Sequence, residues 1–208
     1  MEKELRFLED RKAHWLEIGK LCASWALLDH SLDDAIADTL DITTQQARCI
    51  GTQIEPVASR IKLLRLLLPT TRFDGNWVKA ATALLNKIDA VAPQRNRIVH
   101  DAWHFDGTTP KRIDKRAKLK KAEAFASDEL FVDVQSDCPL GDIKLVTLEV
   151  GVCCIGLEML SFDIQTFRAE GPPLPESSTL VHLPRVESHA HRLFHEQESA
   201  QEPRPSEA

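Results

Sequence analysis

The chain has 208 residues, 43% of them hydrophobic, which suits one main globular domain with an appended segment. Its five cysteines are odd in number and form no CxxC pair, which argues against a disulfide framework or a zinc ribbon and favours a reducing compartment. The net charge of −6 argues against a protein that coats nucleic acid nonspecifically, because neutralising phosphates needs an excess of lysine and arginine.

The amino terminus predicts neither a signal peptide nor a membrane anchor. MEKELRFLEDRK is charged and amphipathic, and no apolar region follows it. The chain also lacks the run of about 18 uninterrupted apolar residues that a transmembrane helix needs. We therefore expect a cytoplasmic protein with no membrane partner.

Apolar periodicity predicts an all-α fold, beginning with two helices. Residues 2–12 predict a short amphipathic helix, and a long one follows from about Ala13 to Leu40, in which apolar residues recur every third or fourth position. Large aromatic residues on such a stripe usually pack in the core. We expect Trp15 and Trp25 to do so.

Three further helices are predicted in the middle of the chain. Residues 44–50 and 56–69 suit short helices, and a longer one begins near Trp77. Pro93 falls inside the last of these. A proline there removes one backbone hydrogen bond and clashes with the carbonyl four residues back, so we expect a kink or a restart of the helix.

Residues 105–138 predict an insertion before the last helix. The stretch 111–121 holds seven basic residues and one acidic residue, a local charge of +6, and 130–134 predicts a short extended segment. A small hairpin and a disordered basic loop both fit. The basic side chains are candidates for binding RNA, and the alternative is that they belong to a solvated loop. They are Lys111, Arg112, Lys115, Arg116, Lys118, Lys120 and Lys121.

The last predicted helix runs from about residue 141 to 168, and a change in composition follows it. Six of the eleven prolines lie beyond Gly171, together with serine and glutamate, which is typical of a flexible tail. We therefore predict a bundle of about five to six helices over 1–170 and a tail over 171–208. In this helix, the apolar stripe that we expect to face the core of the bundle is Leu145, Leu148, Val152, Ile155, Met159 and Phe162.

The segment Arg95–His100 is the strongest candidate for a functional site. In a helix, Asn96 and His100 share a face one turn apart, and His104 would continue the row. Arg95 lies about 140° from His100 around the helix axis, but its long side chain can reach across. The sequence therefore predicts a cluster of one arginine, one asparagine and one histidine on a short surface.

These residue types suit a phosphodiester substrate. Arginine offers a planar fork of donors that matches phosphate, and histidine can move a proton to or from a hydroxyl near neutral pH. Asparagine can orient either partner without adding charge. RNA carries its own nucleophile, the 2′-hydroxyl, so the cluster could cleave it without a metal or a cofactor.

Arg95-Asn96-Arg97-Ile98-Val99-His100 resembles the R-[polar]-x(3)-H motif of HEPN (higher eukaryote and prokaryote nucleotide-binding) proteins. That family has helical bundles, usually dimeric, in which the motif lies near the start of a late helix, and many members are metal-independent ribonucleases. They occur as toxins, in phage defence and in RNA processing. The resemblance, which in architecture covers about residues 10–168, implies active-site roles for Arg95, Asn96 and His100.

The resemblance also implies partners. The substrate would be RNA, and two copies of the motif would meet across a homodimer interface. A toxin or a defence effector would add an antitoxin or another regulatory protein as a candidate partner.

Two other functions stay open. The chain could be a non-catalytic RNA- or nucleotide-binding member of the same family. It could also be a helical protein-interaction domain, in which the cluster forms a buried polar network that ties one helix to its neighbours.

A metal site is a further alternative. His100 and His104 are spaced like helical zinc ligands. The tail contains three histidines that could chelate a metal, His189, His191 and His195. Asp29, Asp33 and Asp34 could pair on the long helix, but a solvated helix face is the simpler interpretation. The sequence supplies no complete ligand set, so we expect no metal.

Overall fold

The computed structural model describes residues 2–54, 56–105, 110–114 and 134–171. Over this part of the chain the predicted all-α helical bundle is confirmed, with a small sheet before the last helix. The α-helices are α1 (Glu2–Leu40), α2 (Thr44–Gln53), α3 (Val57–Leu67), α4 (Gly75–His100) and α5 (Leu140–Glu170). The strands are β1 (Ala102–His104), β2 (Lys111–Asp114) and β3 (Val134–Asp137).

The chain divides into two compact units. The first contains residues 1–23 and 92–147, and the second contains residues 24–91 and 148–208. Helices α1, α4 and α5 each contribute residues to both. The motif at Arg95–His100 belongs to the first unit.

The first unit contains an antiparallel three-stranded sheet in the order β1-β2-β3. Trp103 pairs with Arg112 across β1 and β2, and Arg112 pairs with Ser136 across β2 and β3. Of the two structures that fit the basic insertion, the described residues therefore form a hairpin extended by a third strand. Residues 115–133, which include most of the basic run and most of the predicted extended segment, lie outside the described part.

The core of the second unit contains a buried tryptophan, Trp77. The indole of Trp77 is 1% exposed and stacks on Phe73 with ring centroids 3.9 Å apart. Its Nε1 donates a hydrogen bond to Asp163 Oδ2 at 2.9 Å, which satisfies the polar atom of a buried ring.

Thr43 and Gln46 form a capping box at the start of α2, and this helix begins at the residue that the sequence predicted.

A buried ion cluster joins α1, α2 and α3 within the second unit. The Arg60 side chain is 9% exposed, forms a salt bridge with Asp29 and lies 3.5 Å from Asp33 Oδ1. Burial raises the pKa of the Asp33 carboxyl, and the nearby Arg60 charge opposes that rise. The prediction of a solvated aspartate face was therefore wrong for Asp33, because a cation from another helix accompanies it into the interior.

Gly51 on α2 allows that cluster to close. A Cβ atom built at this position would lie 2.7 Å from Asp33 Oδ1, whereas the Gly51 carbonyl accepts a hydrogen bond from Arg60 Nη2 at 3.4 Å. We expect Gly51→Ala to lower the free energy of unfolding by about 1–3 kcal/mol, the usual cost of overpacking. Urea unfolding checks this, with Gly19→Ala, where nothing lies within 4 Å of the added Cβ, as the control. Equal losses in the two variants would contradict the prediction.

Two predicted helix boundaries were wrong. α1 is one helix from Glu2 to Leu40, without the break expected near Ala13. α4 continues through Pro93 to His100, so the helix does not restart there. The buried residues Val91 and Ile98 flank the proline, and their packing outweighs the single hydrogen bond that proline removes.

α5 buries a different stripe from the predicted one. Its side chains at Leu148, Ile155 and Phe162 are 62%, 53% and 58% exposed. This helix carries apolar residues on more than one face, and periodicity does not reveal which face meets the core. The buried stripe is Ile143, Val146, Val150, Cys153, Cys154, Leu157, Leu160 and Ile164.

By length and composition, α5 could also cross a membrane, the one such helix among the described residues. Core helices of soluble proteins meet the same criterion, and 44% of its most apolar window is buried within the protein. The expectation of a cytoplasmic protein therefore stays a prediction.

Three of the five cysteines are packed in the core. Cys138, Cys153 and Cys154 are buried, and burial raises their thiol pKa values to about 12, 12 and 11. The thiolate is the reactive form, so these three are inert packing groups. Cys49 is exposed and Cys22 is half-buried.

Candidate functional site

The motif occupies the carboxyl-terminal end of α4, and His100 is the last residue of the helix. Ile98 is fully buried, whereas Asn96 and His100 are exposed and Arg95 is half-buried. One apolar side chain thus anchors the helix end while the polar groups face outward. This placement differs from the expected one, since the motif does not lie at a helix start.

The three predicted site residues meet, as the helical geometry required. Arg95 Nη1 donates a hydrogen bond to Asn96 Oδ1 at 3.0 Å and lies 3.3 Å from His100 Nε2. A guanidinium group can only donate, so the His100 Nε2 atom accepts and carries its lone pair toward Arg95. Arg95 does reach around the helix to His100.

The end of the helix limits how the site could hold an anion. The last carbonyls of a helix carry a partial negative charge and offer no free N–H groups. Arg97 lies in this last turn, where its positive charge offsets that of the carbonyls. A phosphate here would have to be bound by side-chain donors, above all by the Arg95 guanidinium.

A buried ion pair fixes the chain directly after the motif. Arg112 on β2 is 4% exposed, its Nε lies 3.5 Å from Asp101 Oδ2, and its Nη2 donates to Ser136 Oγ at 3.3 Å. Asp101 immediately follows His100. Arg112 was predicted to bind RNA from an exposed basic run, but here its charge is paired with Asp101 and shielded from solvent.

Trp103 also holds the end of α4. Its indole Nε1 donates to the carbonyl of Ile98 at 2.9 Å, which satisfies one of the helix-end carbonyls. The chain bends at Asp101 and enters β1, so His104 lies on a strand. The prediction that His104 continues the row of Asn96 and His100 was wrong, because the helix ends first.

The other predicted RNA-binding residues are only partly described. Lys111 begins β2 and is half-buried. The remaining predicted groups, Lys115, Arg116, Lys118, Lys120 and Lys121, lie outside the described residues, as do the histidines at 189, 191 and 195.

Sequence reasoning missed a cluster of rings beside the motif. The centroid of the Phe105 ring lies 6.0 to 6.2 Å from those of His14, Trp15 and Trp103. Arg11 adds a guanidinium 5.7 Å from the same centroid. Trp103 and Phe105 are two residues apart on extended chain, a spacing that predicts both side chains on the same face. Their contacts with α1 join residues far apart in the sequence, and the spacing does not predict those contacts.

The second unit contains a separate groove of about 460 Å³. Leu27 and Phe162 provide apolar walls, and Asp34, Asp38 and Glu158 provide carboxylates. Within the described parts of the chain, no group of three or more histidine, cysteine, aspartate or glutamate side chains is arranged to hold a metal ion.

Comparison with known proteins adds no assignment. No family model, no curated protein and no solved structure matches this chain. The fold class, all-α, and the arrangement of Arg95, Asn96 and His100 are therefore the basis for a functional proposal.

Proposed function

We propose that this chain is a metal-independent endoribonuclease of the HEPN type, acting as a toxin or as a phage-defence effector. The observation that carries the proposal is the position of the Arg95 guanidinium, within hydrogen-bond distance of both Asn96 and His100. A phosphate-binding group and a proton-transfer group are thus adjacent on an exposed surface. Such a pair is what transesterification of RNA by its own 2′-hydroxyl needs.

The proposed reaction assigns each side chain one role. His100 Nε2 accepts the proton of the 2′-hydroxyl, whose oxygen attacks phosphorus, while the bond to the 5′-oxygen breaks and a 2′,3′-cyclic phosphate forms. Arg95 stabilises the charge of the pentacoordinate phosphorane. The Asn96 amide nitrogen is a second donor for a phosphate oxygen. The leaving 5′-oxygen takes its proton from an imidazolium, either of His100 or of the same motif in a second copy.

Substrate binding must rearrange the observed hydrogen bonds. His100 Nε2 faces Arg95 Nη1, so the lone pair that would accept the hydroxyl proton is occupied. A phosphate oxygen that binds the guanidinium competes for that donor and releases the imidazole. Phosphate binding would thereby activate the base only when substrate is present.

The test is cleavage of RNA by the purified full-length chain in the presence of EDTA. We expect cleavage with 2′,3′-cyclic phosphate ends, and no cleavage of DNA of the same sequence. An oligonucleotide with a single 2′-deoxy residue at the cut site should resist cleavage there only. Activity that needs a divalent ion, or equal cleavage of RNA and DNA, would sink the proposal.

The proposed partners are RNA, a second copy of the chain and, for a toxin, a neutralising protein.

A second candidate function, a helical protein-interaction domain, is favoured by the exposed apolar residues of α5 and by the acidic groove of the second unit. Binding of RNA without cleavage would instead favour the non-catalytic RNA- or nucleotide-binding alternative. Absence of both cleavage and RNA binding would leave the interaction domain as the better assignment.

A further inference from the structure

The ring cluster of Trp15, Trp103, Phe105 and His14 presents one of its members to solvent. Trp15 is 48% exposed, although tryptophan on an apolar helical stripe usually packs in a core. Its ring is tilted 43° to that of Phe105, with centroids 6.1 Å apart. An indole with nearly half its surface in water is thus held beside a second aromatic ring.

The other rings hold this pair in place. His14 is 5% exposed and donates from Nδ1 to the carbonyl of Asp10 at 2.9 Å. Its ring meets Phe105 edge-on at 83° and Trp103 at 61°. The rings therefore form a fixed support, which lowers the entropy lost when a ligand stacks on Trp15.

A cation accompanies the rings. The Arg11 guanidinium lies 5.7 Å from the Phe105 ring centroid, within the range of a cation–π contact, and Arg11 is exposed on α1. The indole of Trp15 and the guanidinium of Arg11 both neighbour Phe105, and this pair of groups matches a nucleotide, whose base has a flat π-face and whose phosphate is an anion. An aliphatic protein partner would gain nothing from the guanidinium.

Trp103 connects the cluster to the candidate active site. Its ring lies 6.2 Å from that of Phe105, and its Nε1 is bonded to the carbonyl of Ile98, between Asn96 and His100 in the chain. The cluster and the motif both belong to the first unit. Trp103 therefore ties the rings to the end of the helix that carries His100.

We propose that Trp15, supported by Phe105 and flanked by Arg11, stacks an unpaired nucleobase next to the scissile phosphate. This inference rests on the proposed ribonuclease function and names its substrate class as single-stranded RNA. Bases in a duplex are stacked on each other and cannot turn a face to Trp15. Selectivity for loops, ends or unstructured segments follows.

The experiment measures binding without cleavage. Full-length His100→Ala protein is titrated into a fluorescein-labelled, unstructured 12-residue RNA and into a duplex of the same sequence, and anisotropy is recorded. Adding Trp15→Ala should weaken single-strand binding by about 5- to 150-fold, since stacking one base contributes about 1–3 kcal/mol. Trp15→Phe, which keeps a ring, should retain most of the affinity.

The matched control is Leu16→Ala in the same background. Leu16 is adjacent on α1 and 60% exposed, so its removal tests whether any apolar side chain on this surface matters. We expect unchanged affinity for single-stranded RNA. Far-ultraviolet circular dichroism and light scattering of each variant report folding and oligomeric state.

Several outcomes would overturn the inference. They are an unchanged affinity of Trp15→Ala, equal losses with Leu16→Ala, equal losses on the duplex, and a change of oligomeric state without a change of affinity. Absence of RNA binding by the His100→Ala parent would overturn it as well. If Trp15 governs single-strand binding but wild-type protein cuts no RNA, the ribonuclease proposal fails while the base-stacking site stands.

Discussion

Replacing His100 with alanine is expected to lower the rate of RNA cleavage by about 10²- to 10⁴-fold, the usual contribution of a proton-transfer group. The imidazole is exposed at the end of α4, so its removal leaves the buried Ile98 side chain and the hydrogen bond from Trp103 to the Ile98 carbonyl intact. The loss should therefore appear in the rate of the chemical step with little change in the unfolding midpoint. Single-turnover cleavage of labelled RNA in EDTA measures it.

His104→Ala is the matched control for that experiment. His104 is four residues further along and exposed, but it lies on β1 rather than on α4. We expect its cleavage rate to stay close to that of the wild type. A His100→Ala variant as active as His104→Ala would remove His100 from the mechanism.

Replacing Arg60 with methionine is expected to lower the free energy of unfolding by about 3 kcal/mol. The usual cost of removing one partner of a buried ion pair is about 3–5 kcal/mol. The Asp33 side chain is 13% exposed and would lose its cation, whereas Asp29 is 41% exposed and would be rehydrated, which places the loss at the lower end of that range. Guanidinium chloride unfolding at neutral pH measures the loss.

The loss of stability in Arg60→Met should be smaller at low pH than at neutral pH. Burial already raises the pKa of Asp33 above its ordinary value of 3.8, and losing Arg60 removes the largest opposing influence. The folded state then binds a proton that the unfolded state releases, so the stability of the variant falls as pH rises from 3.8 through the raised pKa. The deficit relative to wild type should shrink as the pH is lowered through that window.

Asp33→Asn combined with Arg60→Met provides the control for this effect. The amide removes the buried charge, so part of the lost stability should return at neutral pH, and the pH dependence of the deficit should diminish. A deficit in Arg60→Met that stays constant across the window would show that Asp33 is not the group responsible.

Local patterns predicted the helices well and their junctions less well. The apolar periodicity of α1 and the capping box of α2 are local in sequence, and both segments are helical as expected, although α1 lacks the break predicted near Ala13. The continuation of α4 through Pro93 depends on burial of Val91 and Ile98, which is decided by residues far along the chain. The core-facing stripe of α5 was missed for the same reason.

In the candidate site, too, the contacts between residues close in sequence were predicted and those between distant residues were not. Asn96 and His100 are one turn apart on a helix, and Arg95 is near enough to reach both, so their meeting followed from helical geometry. The pairing of Arg112 with Asp101 depends on strand register, and the meeting of Trp15 with Phe105 depends on packing of α1. No local pattern encodes either contact.

The close approach of Gly51 to Asp33 has an evolutionary consequence. A side chain at position 51 would occupy the space that the Asp33 carboxylate fills, and the same carboxylate lies beside Arg60. Substitutions at these three positions should therefore not be accepted independently. Among homologues of this chain, we expect residues 33, 51 and 60 to change together, so that any lineage with a larger residue at 51 has also replaced the aspartate and its arginine.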